Sequence, residues 1–360
     1  MKRFEFSMMS LFSNPTSVRS TSRGFRSMNR SLIAIAGLAV LGFSCKDSNN
    51  DENVMGNWRA ESPFEGVARS GAASFVIDTA AYISTGSDNN NNRLADLWQY
   101  NGRTWTQKAN FPGAGRTGAT GFAVAGKGYV GLGQPQGGVY VKDFYSYDPT
   151  SNKWTKIADY MGTGRVGTVS FSVNNKGYVG TGFDGNNLND LYSYNPTAAT
   201  WTKENSFPGA KREGAVAMVI NNMVYVGTGT GNAQTLRDWW EFNPTSGIWT
   251  QKKDFTTDQS AIMRSYASSF VINNKGYLLM GVTTTTDTKI WSYDAATDTW
   301  ASDYEYGNSN NKFRAAPSGR SRAVSFSMKN LGYIATGASG STRLDDIYSF
   351  DPSVAREVVE

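Results

Sequence analysis

The 360-residue chain contains no histidine and a single cysteine. Without imidazole, histidine-based triads, histidine-ligated zinc or copper and imidazole acid–base steps are excluded. With one thiol, no intrachain disulfide exists. Net charge is nearly absent from most of the chain. Lys2, Arg3, Arg19, Arg23, Arg26 and Arg30 precede residue 45 against Glu5 alone, so the remainder holds 29 basic and 29 acidic residues. A neutral body lacks the phosphate-neutralising surface that nucleic-acid binding needs, and no nucleic-acid partner is expected. What the chain does hold is glycine, 38 residues, and aromatics at 13 %. That mixture favours short strands and tight turns over helices.

The basic leader runs into thirteen apolar or small residues, Leu32 to Ser44, and then Cys45. Such a run is too short to cross a bilayer as a helix, which takes about 20 residues, but suits a secretory signal. A lone cysteine after Gly42-Phe43-Ser44 resembles the lipobox of bacterial lipoproteins. That resemblance implies a signal peptide over residues 1–44, with Met28 as an alternative start, and diacylation of Cys45. Residues 45–55, opening Cys45-Lys46-Asp47-Ser48-Asn49-Asn50, read as a polar tether too hydrophilic to fold. The acid-rich run after the cysteine resembles signals that carry lipoproteins to the outer face. The expected address is therefore across the inner membrane and lipid-anchored in the outer membrane, exposed on the cell surface or facing the periplasm.

Residues 56–360 repeat six times. Arg69, Arg116, Arg165, Arg212, Arg264 and Arg320 are each followed thirteen residues on by Tyr82, Tyr129, Tyr178, Tyr225, Tyr277 or Tyr333. Four residues further stand Gly86, Gly133, Gly182, Gly229, Gly281 and Gly337, and then an aromatic pair such as Tyr192 and Tyr194. Trp105, Trp154, Trp201, Trp249 and Trp300 close five of the units. Within a unit the pattern alternates with period two, as in Val169-Ser170-Phe171-Ser172-Val173, and breaks at Asn174-Asn175-Lys176-Gly177, whose Asn and Gly accept the positive φ of a tight hairpin. Four short strands in about 50 residues are the size of one propeller blade.

The motif order resembles the kelch repeat over Trp58 to about Pro352. The chain departs from that pattern where kelch blades end their second strand in a glycine doublet, because the first position is Thr85, Leu132, Thr181, Thr228, Met280 or Thr336. The expected fold is all-β: a kelch-like six-bladed β-propeller of four-stranded antiparallel blades. The sixth unit has Glu357 where the others have tryptophan, while Trp58 precedes Arg69 by the same eleven residues that separate Trp105 from Arg116. Residues 56–61 are therefore expected to supply the outermost strand of the last blade, which removes the open edge.

Six arginines at the start of the innermost strands are expected to ring one mouth of the central channel. Two roles stay open for them: pairing with Asp96, Asp143, Asp190, Asp238 and Asp346, or holding an acidic ligand. Symmetry breaks two residues later, where Gly71, Gly118, Gly167 and Gly214 give way to Tyr266 and Arg322. The loop from Asp303 to Gly319 is the longest of its kind and carries Tyr304, Tyr306, Phe313 and Arg314. The ligand-binding candidates are thus Arg69, Arg116, Arg165, Arg212, Arg264, Arg320, Arg322, Tyr266, Tyr304, Tyr306 and Arg314. Asn-rich loops such as residues 87–92 and 183–187 do not match an EF-hand, so no metal and no cofactor is expected.

The kelch resemblance implies a monomeric binding module whose partner is a glycan or an envelope protein, tethered to the membrane through Cys45, and no catalytic constellation stands out. The alternative it implies is an enzyme similar to the kelch-propeller sialic acid mutarotases, with Arg165, Arg212 and Arg320 on a carboxylate and Glu213 carrying a proton. Copper radical oxidases share kelch blades but require histidine ligands, so that activity is excluded.

Overall fold

The computed structural model describes residues 54–283, 288–307 and 312–358. The expected signal peptide, Cys45 and all but the last two residues of the tether lie outside the described residues. Six four-stranded antiparallel sheets follow one another. In blade 1, strands a to d are Ala73–Ile77, Ala80–Ser84, Leu97–Tyr100 and Trp105–Lys108. The corresponding strands of blade 3 are Val169–Val173, Lys176–Gly180, Leu191–Asn195 and Thr200–Lys203, and those of blade 5 are Ser268–Ile272, Lys275–Leu279, Lys289–Asp294 and Thr299–Glu305. Blade 6 takes strands a to c from Val324–Met328, Leu331–Ala335 and Ile347–Ala355, and its fourth strand is Met55–Ala60. Trp58 lies opposite Phe350 in that last pairing, and Ala60 opposite Tyr348.

The alternation of strand a explains its place. Residues 169, 171 and 173 are buried between blades, while Ser170 and Ser172 between them face the channel. Strand a is the inner edge of each sheet, so part of its backbone has no neighbouring strand. Small hydroxyl side chains bridge that gap: Ser170 Oγ donates to the Gly121 carbonyl at 2.8 Å, and the Val271 N–H donates to Ser327 Oγ at 3.0 Å.

The a–b turn of blade 3 differs from expectation. Its positive-φ residues are Asn174 and Asn175, and Gly177 already belongs to strand b. Gly177 is needed for another reason. A Cβ there would stand 2.0 Å from the ring of Phe122, which projects from blade 2. Gly128 seats Phe75 and Gly332 seats Phe270 in the same way, at 2.1 and 2.3 Å. Each such seat lets one blade press its aromatic ring flat against the next.

Two further devices join neighbouring blades. Except for Trp300, whose indole N–H is buried without an acceptor among the described residues, the tryptophan of strand d donates to a carbonyl of the preceding blade, as from Trp154 to Ala109 at 2.8 Å and from Trp201 to Ala158 at 3.0 Å. Trp58 does the same to Glu305 at 3.3 Å, so it fills the sixth tryptophan position. The N–H of each repeat glycine donates 2.8 Å to the carbonyl of the next blade's arginine, and the series ends with Gly337 on Arg69.

Candidate ligand site at the channel mouth

The six repeat arginines are fully or almost fully buried, Arg320 being the most accessible at 3 %. Arg69 shows the arrangement. Its Nε donates to the Val67 carbonyl, one Nη to the Thr85 carbonyl at 2.9 Å, and both Nη atoms to the Asp96 carboxylate at 2.6 Å. Its guanidinium lies 4.9 Å from the centre of the Phe64 ring. Arg116 pairs likewise with Asp143, Arg165 with Asp190, Arg212 with Asp238 and Arg320 with Asp346. Arg264 donates to the carbonyls of Ala261 and Met280. Burial works to raise the Asp96 pKa, but the hydrogen bonds and charge of Arg69 outweigh it and hold the carboxyl below its ordinary value. That stabilisation is present above the unfolded pKa of about 3.9 and is lost only as pH falls through the lowered folded value.

These side chains are therefore fasteners within each blade: of the two roles left open, Arg69, Arg116, Arg165, Arg212 and Arg320 take the aspartate pairing and Arg264 binds backbone carbonyls, so their charge is not offered to a ligand. Their donors already face protein oxygens, and they do not line the mouth. The same finding removes Arg165, Arg212 and Arg320 as carboxylate holders for a sugar acid.

The mouth is formed two residues later. Gly71, Gly118, Gly167 and Gly214 all sit near φ 65, and Tyr266 and Arg322 occupy the same left-handed region at 52 and 53. Backbone hydrogen bonds link these positions around the opening. Gly118 donates to Gly71, Gly214 to Gly167, Tyr266 to Gly214, Arg322 to Tyr266 and Gly71 to Arg322, at 2.8 to 3.1 Å. A side chain on this ring must hold a conformation that ordinarily favours glycine, so the two that are present mark an observed strain.

The Tyr266 ring lies across its glycine neighbours. A Cβ on Gly214 would come 2.9 Å from Tyr266 Cδ2, and one on Gly167 3.0 Å from its hydroxyl oxygen. The hydroxyl donates to Glu213 Oε2, and the Arg322 guanidinium sits 3.5 Å over the ring centre. Burial pushes the Tyr266 pKa up to about 12; Arg322 opposes the shift and the hydrogen bond to Glu213 adds to it. The phenol stays protonated at neutral pH as a donor. The mouth encloses about 170 Å³, and behind it runs a channel space of about 450 Å³ walled by strand a residues without a charged side chain among them. Arg322 is exposed at the opening.

A family model of the KLHDC2/KLHL20/DRC7 Kelch-repeats domain matches residues 161–310. The solved structure of YjhT aligns with a TM-score of 0.65 and 17 % identity, covering 79 % of this chain and 95 % of that one. The chain is a six-bladed β-propeller whose residues 161–310 match a kelch-repeat model. No curated protein sequence matches it.

The propeller's departure from the kelch glycine doublet has a structural counterpart. Thr85, Leu132, Thr181, Thr228, Met280 and Thr336 keep a left-handed backbone, φ 55 to 65, despite their side chains. Each presents its carbonyl to the blade arginine, at 2.9 to 3.1 Å. The fastener thus holds in place a conformation that costs on the order of 1 kcal/mol or more.

Three loop candidates do not reach the mouth. Tyr304 belongs to strand d of blade 5 and packs edge-on against Phe350, 5.6 Å between ring centres. Tyr306 is buried in the same core. Arg314 is exposed, but it pairs with Glu357 at 3.8 Å and its N–H meets the Glu357 carbonyl. Phe313 bridges to Val358 and lies under the Arg356 guanidinium, so the long loop is stitched to the end of the closing blade. The correction for Tyr304, Tyr306 and Arg314 is one of position, and residues 308–311 lie outside the described residues. The Asn-rich loops make Asx turns: Asp88 Oδ1 accepts the N–H groups of Asn90 and Asn92 at 2.8 Å. Among the described residues no group of three Asp, Glu, Cys or His side chains forms a metal cage.

The pair of symmetry-breaking residues was visible in the repeat, and Glu213 was visible beside its arginine. Their meeting was not, because Tyr266 and Glu213 stand 53 positions apart and on different blades.

Proposed function

We propose that this kelch propeller is a lipid-tethered binding module of the cell envelope, and that its ligand is a glycan bearing a carboxylate, held at the channel mouth. The observation that carries the reading is Arg322, the exposed guanidinium stacked on Tyr266 at the opening of a neutral channel. Its charge is free to meet a bidentate anion, and the tyrosine beside it offers a ring and a hydroxyl to a sugar. In a glycan array set against acidic and neutral sugars, Arg322→Ala is expected to weaken acidic binding by about 10- to 100-fold, the worth of one charge-assisted contact. Acidic binding that is indifferent to Arg322→Ala would remove the mouth from consideration.

The second reading is a sugar-acid mutarotase of the sialic acid type. It is favoured by the contact of Glu213 with the Tyr266 hydroxyl beside Arg322, which puts a proton acceptor next to a cation able to orient a carboxylate. Anomer exchange followed by NMR separates the readings: accelerated exchange that is lost in Glu213→Gln supports the enzyme, and binding without exchange supports the module.

The tether is proposed on the leader alone. Cys45→Ser is expected to move the protein from the membrane fraction to the soluble fraction, and labelling with a radioactive fatty acid is expected to disappear with it. Labelling that survives the change would place the lipid elsewhere.

A further inference from the structure

We propose a second binding site, for a neutral oligosaccharide, in the groove between the loops of blades 3 and 4. The groove lies between residues 183–188 and 231–236, with Ala210 and Lys211 at its base, and encloses about 730 Å³. It shares no lining residue with the mouth. One wall lies close over the base because Gly231 has no side chain: a Cβ would come 2.4 Å from the Lys211 carbonyl oxygen. A two-residue hairpin, with Asn232 and Ala233 at φ 50 and 60, forms one wall.

The lining chemistry points to the ligand. Asn186, Asn187, Asn232 and Gln234 place four carboxamides on one space, and none of these side chains hydrogen-bonds to another described residue. Several amides elsewhere on this face are engaged internally. Asn92 donates to Asp88, Gln134 to the Gly138 carbonyl and Asn189 to the Phe207 carbonyl. The Asn187 Oδ1 is enclosed with no donor among the described residues, an acceptor left unmet. Phe183 supplies an apolar wall, backed edge-on by Tyr140 at 6.3 Å.

A carboxamide both donates and accepts, which matches a hydroxyl better than it matches a carboxylate or an ammonium group. An aromatic face beside several amides suits the alternation of C–H and O–H groups along a saccharide. Charge does not select here. Lys211 is opposed by Asp184, whose carboxylate already accepts from Thr163 Oγ1 and the Asn186 N–H. The volume falls within the range of pockets that hold a few sugar rings.

The test is calorimetric titration of the full-length protein with cellohexaose, maltohexaose and chitohexaose. At least one is expected to bind, and Phe183→Ala and the double change Asn187→Ala, Asn232→Ala are each expected to weaken it by about tenfold or more. Gln234→Ala, on the exposed hairpin, gives an independent reading should Phe183→Ala fail to fold. Absence of binding by all three sugars, or binding that survives every one of these changes, overturns the site. Arg322→Ala distinguishes this site from the mouth, since it is expected to lower affinity for acidic sugars and to leave the hexasaccharide isotherm as it was.

Discussion

Arg212→Leu is expected to destabilise the propeller by about 3–5 kcal/mol, measured as a shift of the guanidinium unfolding transition followed by tryptophan fluorescence. The guanidinium is fully buried, and its loss strands several acceptors at once. Asp238 would keep a carboxylate whose remaining donor is the Trp240 indole at 2.8 Å, and the Thr228 carbonyl would lose its partner at 2.9 Å. A buried charge without its partner is far costlier than an absent pair. Thr228 would also be left in a left-handed backbone at φ 59 with nothing holding its carbonyl. Arg322→Ala serves as the contrast. That side chain is exposed at the mouth, and its removal is expected to change stability by no more than about 0.5 kcal/mol. A loss under about 1 kcal/mol for Arg212→Leu would show that the repeat arginines are not fasteners.

Trp58→Ala is expected to cost a similar amount, about 3–5 kcal/mol, although Trp58 precedes every complete blade in the sequence. The indole is 1 % exposed, stands 4.9 Å from Phe350 between ring centres, and donates to Glu305 in blade 5. The truncation leaves a cavity at the seam where the first and last strands of the propeller pair. Complete removal of residues 54–60 goes further, because strand c of blade 6 then becomes an open edge of nine residues, Ile347–Ala355. Unpaired edges of that length associate, so the shortened protein is expected to form dimers or larger species by size-exclusion chromatography. A monodisperse shortened monomer with an unchanged unfolding midpoint would show that the fourth strand of blade 6 contributes little.

The fold was legible because its signals repeat. Six arginines, tyrosines and glycines at fixed spacing leave little freedom, and the position of Trp58 relative to Arg69 pointed to the sixth outer strand. The site was legible only where the repeat breaks. Tyr266 and Arg322 stand out against four glycines, and they are the side chains found at the opening. The repeat arginines misled because spacing places a residue along a strand but not along the radius of a ring. Their carboxylate partners were among the candidates, yet it takes the folded blades to close five of those pairs and keep them out of the mouth. Tyr304 misled for another reason. A length counted from Trp300 looks like a long loop, but strand d of blade 5 runs seven residues to Glu305, with Tyr304 opposite Ile290 beyond a bulge. The groove between blades 3 and 4 left only a faint trace, the run of Asn and Gln in two loops, because free and engaged amides look alike in a sequence.

The seam in blade 6 brings the Arg356 N–H within 2.7 Å of the Val54 carbonyl. A closed ring joined this way has no first blade. Covalently linking those two points and opening the chain at an exposed outer turn, such as that at residues 196–199 between Asn195 and Thr200, would leave the interblade hydrogen bonds in place. The order in which the blades are written in the gene is thus separable from the architecture.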